Sequence, residues 1–264
     1  MLISSLQNIR VKQMAALSKK SSERRKQGLF VVEGQRELMH CVQHGLIIHS
    51  LFLCDEIANN VKTAKWESLT DKENVFHVTP EVYDKMAYRS GTEGVVAVIH
   101  TPDNSLSSLN LSENPLLIVI EGVEKPGNIG AILRSADAAH ADAVLICDPL
   151  TDLYNPNLLR ASIGAVFTVP CAVTDSADCI RFLKEHNIQI LTAQLQDSEL
   201  YYDSDMTSPT AIVMGTEATG LTNQWREAAD SHIRIPMLGS LDSLNVSVST
   251  AILLFEAVRQ RQQH

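Results

Sequence analysis

The sequence of 264 residues lacks an apolar run long enough to cross a lipid bilayer. The apolar runs at residues 116–120 and 251–255 are far shorter than the ~20 residues that a membrane-spanning helix needs. Residues 1–13 also lack the apolar core of a secretory signal. We therefore expect no membrane segment and a cytoplasmic location.

Paired cysteines are missing as well. The five cysteines form no C-x-x-C pair, and the nine histidines show no metal-like spacing. An odd number of cysteines without such pairs is typical of reduced thiols in the cytoplasm, so we expect free thiols and no metal site. The dinucleotide fingerprint G-x-G-x-x-G is also absent, which argues against a simple NAD-binding domain.

An excess of positive charge is the third feature that the chain lacks, since its net charge is −9. This balance argues against a nucleic-acid partner, but the charge is unevenly distributed. Residues 1–100 carry 13 basic and 11 acidic side chains, whereas the remainder carries 9 and 20. Glu23 alone opposes a basic cluster made of Arg10, Lys12, Lys19, Lys20, Arg24, Arg25 and Lys26. Such a cluster is either a solvated helix face or a surface that binds phosphates.

The order of the predicted elements indicates an α/β protein with two domains. Residues 1–100 alternate between short helices and strands and form one compact unit. Residues 101–115 are rich in Ser, Asn and Pro and are the best candidate for a linker. From residue 116 onward, nearly continuous apolar strands alternate with helices, a pattern typical of a parallel sheet covered on both faces.

Three polar loops follow apolar strands of the second domain. The first, EGVEKPGNIGAILRS, holds Asn128 as a predicted helix cap, with Arg134 further along the helix. The second, VMGTEATGLT, places Glu217 between two glycines, and the third, beginning SLDSLNVS, places Ser243 and Asn245 before an apolar helix. Each could be a simple turn or cap. Because parallel strands bind ligands at their carboxyl ends, three such loops together favour a site.

The segments NIGAILRSADAAHADAVLI, VMGTEATGLT and IRIPMLGSLDSLNVSVSTAILLFEAVRQ resemble, in order, the three motifs of the SpoU (TrmH-like) RNA 2′-O-ribose methyltransferases of the SPOUT superfamily. This resemblance covers residues 116–263, and residues 1–100 resemble the L30e-like substrate-binding domain of many members. It implies an L30e-like RNA-binding domain at 1–100, a linker at 101–115 and a methyltransferase domain at 116–264. It also implies a deep C-terminal trefoil knot, bound S-adenosylmethionine and a homodimer.

The resemblance also implies roles for individual residues. The cofactor-binding positions are Thr192, Ala193, Leu195, Gly215, Ile235, Met237 and Leu244. The catalytic positions are Asn128, Arg134, Glu217, Ser243 and Asn245. In the family, the arginine that matches Arg134 is proposed as a general base. A guanidinium normally stays protonated, so binding RNA phosphate and stabilising an oxyanion is the physically easier role.

These expectations combine into a function. We expect a S-adenosylmethionine-dependent RNA ribose 2′-O-methyltransferase that acts on ribosomal RNA of the 23S type. RNA should contact the basic cluster, together with Arg134 and Arg160. The alternatives are a tRNA 2′-O-methyltransferase, a non-catalytic RNA-binding protein, and an α/β enzyme that uses another nucleotide.

Overall fold

The computed structural model describes residues 2–58, 65–88, 93–216 and 219–263. The chain forms two compact units, one of Met1–Pro102 with Asp152–Arg160 and one of Asp103–Thr151 with Ala161–His264. Each unit contains its own β-sheet. The segment Asp152–Arg160 therefore groups with the first unit, although the sequence pattern placed it in the second domain. The predicted boundaries at 1–100, 101–115 and 116–264 stay a prediction.

The first unit is built on a five-stranded mixed sheet in the order β1-β4-β3-β5-β2. Its strands are β1 (Leu2–Ile3), β2 (Leu29–Glu33), β3 (Ile48–Leu53), β4 (Val75–Val78) and β5 (Val95–His100). Its helices are α1 (Ile9–Lys19), α2 (Ser21–Gln27), α3 (Gln35–Gln43), α4 (Asp55–Ala58) and α5 (Pro80–Met86), with a 3₁₀ turn at Lys72–Asn74. Val11, Met14 and Leu17 recur at helical spacing on α1 and are buried in the core of this unit.

The second unit is built on a seven-stranded sheet in the order β10-β12-β9-β11-β6-β7-β8. Its strands are β6 (Leu116–Glu121), β7 (Ala143–Cys147), β8 (Cys171–Thr174), β9 (Gln189–Ala193), β10 (Glu199–Leu200), β11 (Thr210–Met214) and β12 (Ser231–Arg234). A 3₁₀ turn at Leu106–Ser108 precedes β6. From β6 onward the helices are α6 (Pro126–Ala138), α7 (Pro156–Ser162), α8 (Ala165–Thr168), α9 (Ser176–Glu185), α10 (Asn223–Ala228) and α11 (Val246–Arg261).

All pairings between these seven strands are parallel, which confirms the predicted α/β class with a parallel sheet. The central strands β6 and β11 are buried along their whole length, as their unbroken apolar sequences predict. From β6 the chain adds β7 and β8 on one side and then crosses to β9 on the other. Such a reversal of strand order opens a crevice at the carboxyl edge, where α/β proteins bind ligands.

The segment predicted as a linker packs against the second unit. The side-chain amide of Asn104 donates to the carbonyl of Cys171 at 3.0 Å, and the amide of Val173 donates to the carbonyl of Asn104 at 2.8 Å. Leu106, Leu109 and Leu111 are partly buried against the core of the unit. The Ser- and Asn-rich composition suggested a linker, but these three leucines bury apolar surface there.

No helix in the described part of the chain is long and apolar enough to cross a membrane. The trefoil knot that the family resemblance implies stays a prediction.

Candidate active site

A cavity of about 420 Å³ lies at the carboxyl ends of β9, β11 and β12. These three strands are neighbours in the sheet and run parallel, so the loops that follow them meet at one edge. Seven residues predicted for the site line this cavity: Ala193, Leu195, Gly215, Ile235, Met237, Ser243 and Leu244. The structure therefore brings together side chains and backbone that are up to 51 positions apart in the sequence.

The loop after β11 turns sharply because it contains two glycines. The amide of Thr216 donates to the carbonyl of Gly220 at 3.3 Å, and the amide of Gly220 donates to the carbonyl of Thr216 at 3.1 Å. A Cβ added to Gly215 would lie 2.4 Å from the carbonyl carbon of Gly220, so a side chain does not fit there. Gly220 adopts a φ of 68°, which favours glycine. Glu217, predicted as catalytic in this loop, lies outside the described residues.

Asn245 caps a helix and also bonds to Asn128, another predicted site residue. It is the N-cap of α11, where its Oδ1 accepts a hydrogen bond from the Ser247 amide at 3.0 Å. Its Nδ2 also donates to Oδ1 of Asn128 at 3.2 Å. Since its chain neighbours Leu244 and Val246 both line the cavity, the Asn128–Asn245 pair lies at the cavity border. Neither asparagine itself lines the cavity as the described residues define it.

The predicted capping role of Asn128 is wrong. The helix α6 begins at Pro126 with Lys125 as its N-cap, so Asn128 lies within the first turn. Proline is favoured at the first helical position because its fixed φ suits the helix and its missing N–H costs nothing there. Asn128 is therefore oriented by the helix, and Arg134 follows it on the same helix, which packs against α11. Arg134 is exposed.

Thr192 was predicted to contact the cofactor, and the structure places it elsewhere. Its side chain is fully buried, and its Oγ1 lies 2.6 Å from Nδ1 of His232, its register partner on β12. The residues that follow it, Ala193, Gln194 and Leu195, line the cavity instead.

Sequence reasoning missed several polar side chains in the cavity wall, among them those of Gln194 and Arg226. Among the described residues, Oε1 of Gln194 and Nε of Arg226 are buried and have no hydrogen-bond partner. Gln194 is adjacent to two predicted residues, which was a usable signal. Arg226 lies outside the three motifs, and nothing in its local sequence marks it.

Sequence reasoning also missed Glu121, the last residue of β6, which is buried. Its carboxylate accepts hydrogen bonds from the amide of Thr222 at 2.9 Å, the hydroxyl of Thr222 at 2.7 Å and the hydroxyl of Ser176 at 3.2 Å. The indole of the buried Trp225 donates to the same Ser176 hydroxyl at 2.9 Å. These bonds fix the start of α10, directly after the glycine loop of the cavity.

The predicted basic cluster of the first unit needs one correction. Six members of the cluster are exposed, namely Arg10, Lys12, Lys19, Lys20, Arg25 and Lys26. Arg160, which was predicted to contact RNA as well, is also exposed. Arg24, in contrast, is buried, with its Nε 2.5 Å from Oδ2 of Asp152 and its Nη1 donating to the carbonyl of Leu17 at 2.5 Å. A guanidinium held by these partners does not present a free charge to RNA.

The five cysteines are buried free thiols. Burial raises the pKa of Cys171 to about 12, so this thiol stays protonated near neutral pH. Within the described residues, no cluster of three or more His, Cys, Asp or Glu side chains is arranged to hold a metal ion.

Comparison with known proteins identifies two regions. Residues 115–255 match the model of the SpoU rRNA Methylase family, and residues 8–97 match an MRM3-like substrate binding domain. These matches confirm the resemblance that the sequence motifs indicated.

Individual relatives match over most of the chain. The chain is 31% identical over 262 residues to a 23S rRNA (uridine(2479)-2′-O)-methyltransferase of Streptomyces viridochromogenes, covering 96% of this chain and 91% of the relative. It is 39% identical to the 23S rRNA (guanosine-2′-O-)-methyltransferase RlmB of Photobacterium profundum, in a match that covers 70% of this chain and 78% of the relative. The crystal structure of an AdoMet-bound rRNA methyltransferase from Sinorhizobium meliloti superposes on this chain with a TM-score of 0.88 at 29% identity. The superposition covers 98% of this chain and 97% of that structure. This chain belongs to the SpoU rRNA methylase family.

Proposed function

We propose that this protein is a S-adenosylmethionine-dependent methyltransferase that methylates a ribose 2′-hydroxyl in 23S-type ribosomal RNA. The observation that carries the proposal is the single cavity that gathers six of the seven predicted cofactor positions. The relatives described above, named for 23S rRNA, support ribosomal RNA over the tRNA alternative.

The cavity fits an adenosyl cofactor. Its wall contains the apolar side chains of Met214, Leu221, Ile233, Ile235 and Leu253. Apolar walls with a few polar groups suit an adenine ring, and the unpartnered polar atoms of Gln194 and Arg226 offer hydrogen bonds to a ligand. When bound, S-adenosylmethionine supplies a methyl group activated by its sulfonium.

The predicted catalytic residues act on the RNA in this proposal. Arg134 binds a phosphate near the target ribose and stabilises the negative charge that develops on the 2′-oxygen. Asn128 and Asn245 hold their two loops together and orient the ribose, and Ser243 provides a hydroxyl in the cavity wall. Glu217 orients Arg134 or a substrate hydroxyl. Holding the acceptor in place supplies much of the rate increase.

The first unit provides the RNA-binding surface in this proposal. The six exposed cations of the basic cluster can each replace counterions on RNA phosphates. They also offset the acidic character of the remaining chain, whose charge opposes RNA binding. Arg160 adds a further exposed cation in the same unit.

We include a homodimer in the proposal. Leu238 and Leu241 are 97% and 76% exposed in the third loop, and Val248 and Phe255 of α11 are about half exposed. Exposed apolar side chains of this kind support contact with a second copy of the chain. The cytoplasmic location stays a prediction.

The test uses purified protein, methyl-labelled S-adenosylmethionine, and ribosomal RNA or ribosomal particles from cells that lack the protein. We expect one labelled ribose, and we expect Arg134→Ala to abolish the label. Arg181→Ala is the matched control, because Arg181 is an exposed arginine of the same unit that lies on α9. Cofactor binding without transfer to any of these RNAs would contradict the proposal and favour the non-catalytic RNA-binding alternative.

A further inference from the structure

Arg226 is a charged residue of the cavity wall for which the proposal above names no specific acceptor in the ligand. It lies on α10, it is only partly exposed, and its Nε is buried. No acceptor among the described residues bonds to this Nε. A buried donor without an acceptor costs free energy, so a site of this kind is expected to find its acceptor in a ligand.

The backbone that carries Arg226 is firmly held. Trp225, the preceding residue, is fully buried and donates to Ser176, and Thr222 at the start of the helix donates to Glu121 through both its amide and its hydroxyl. These bonds hold the backbone of Arg226 in place, and its guanidinium lies beside the glycine loop. Its Nη2 lies 4.0 Å from the position that a Cβ on Gly220 would occupy.

The other arginine in the wall, Arg234, is differently placed. Its Nη1 donates to the hydroxyl of Ser198 at 3.4 Å. Arg226 is thus the arginine of the described wall that has a buried nitrogen without a partner. A guanidinium presents several donors in a planar fork that fits a carboxylate at two points.

We propose that Arg226 binds the carboxylate of the methionine part of S-adenosylmethionine. This inference rests on the proposed function, because it takes the cavity to be the cofactor site. The carboxylate is the one anionic group of that cofactor, whose sulfonium and ammonium are cationic. An RNA phosphate is the competing acceptor, but Arg226 lines the same cavity as six of the seven predicted cofactor positions.

The test compares S-adenosylmethionine with its decarboxylated form, which keeps the adenosine, the sulfonium and the amine. Affinities of the full-length protein for both are measured by titration calorimetry at one salt concentration. The wild type should prefer the carboxylated form by about 10- to 100-fold, the range for a charge-assisted hydrogen bond. In Arg226→Gln this preference should fall to about 3-fold or less, while Arg226→Lys should retain part of it.

The ratio of the two affinities separates the proposed role from a structural one, because a distorted cavity would weaken the binding of both ligands together. Arg234→Gln is the matched control and should keep the wild-type ratio. An unchanged ratio in Arg226→Gln would overturn the inference, as would loss of RNA affinity with the ratio retained. Failure of the wild type to bind either ligand would overturn the proposed cofactor as well, whereas binding without preference would overturn the role of Arg226 alone.

Discussion

The side-chain amide of Asn245 donates to Oδ1 of Asn128 at 3.2 Å, joining the cap of α11 to the first turn of α6. The two residues are 117 positions apart in the sequence. This bond holds the first and third motif loops at one side of the cavity. It therefore links a local capping function to the assembly of the proposed active site.

The Asn128–Asn245 bond predicts a measurable coupling energy. Asn245→Ala should lower the free energy of unfolding by about 1 kcal/mol more than Asn128→Ala, because it also removes a helix cap. The double variant should lose less than the sum of the single losses, by about 0.5–1.5 kcal/mol, because both remove one shared hydrogen bond. Urea unfolding of the wild type, the two single variants and the double variant measures this coupling energy. Strictly additive losses would show that the bond contributes no stability.

Gly215 should be required for cofactor binding. In Gly215→Ala the new Cβ would meet backbone atoms of Gly220 and Leu221 at 2.4–2.6 Å, so the loop that lines the cavity must move. We expect an affinity for S-adenosylmethionine at least about 10-fold lower, a change of roughly 1.4 kcal/mol. Gly127→Ala is the control, since no atom lies within 4 Å of its added Cβ. Equal cofactor affinity in both variants would contradict this prediction.

Glu121 should stabilise the second unit and its cavity loop. Glu121→Ala truncates a buried carboxylate and removes the acceptor of the amide and hydroxyl of Thr222, and each of these two hydrogen bonds contributes about 1–2 kcal/mol. Thermal or urea unfolding should show a loss of about 2–4 kcal/mol on this basis. Glu124→Ala, three residues away and exposed, should change stability by less than about 0.5 kcal/mol. A comparably small loss in both variants would show that the Glu121 bonds add little.

Arg24 and Arg25 are neighbours with opposite predicted behaviour. Arg24→Ala leaves the carboxylate of Asp152 without its partner in a largely buried pair and should destabilise the protein by about 3–5 kcal/mol. Arg25→Ala should leave stability almost unchanged, because the side chain is exposed.

The two variants should also differ in RNA binding. If Arg25 contacts a phosphate, Arg25→Ala reduces the slope of log affinity against log salt by about 0.7–0.9. The slope in the Arg24 variant should stay at the wild-type value under conditions where that variant is folded. Chemical unfolding and RNA titrations at several salt concentrations test both statements. The reverse pattern would show that Arg24, and not Arg25, faces the RNA.

Much of the site could be predicted because its signals are local. The polar loops that carry the site follow apolar strands, whereas the seven cofactor positions were implied by the resemblance to the SpoU family; six of the seven line the cavity. Thr192 was the exception, since its side chain is fully buried beside His232, a contact across two strands that no local pattern predicts. Glu217 lies outside the described residues, so its role stays a prediction.

The sequence by itself determined the parallel α/β class and the loops that carry the site, because strand hydrophobicity, glycine turns and capping residues act over a few positions. Only the tertiary structure decided that Arg24 is buried against Asp152, 128 positions away, and that Thr222 bonds to Glu121, 101 positions away. It also decided that Arg226 lines the cavity. A side chain's burial and partners depend on which distant segments pack beside it, and no local pattern encodes that contact.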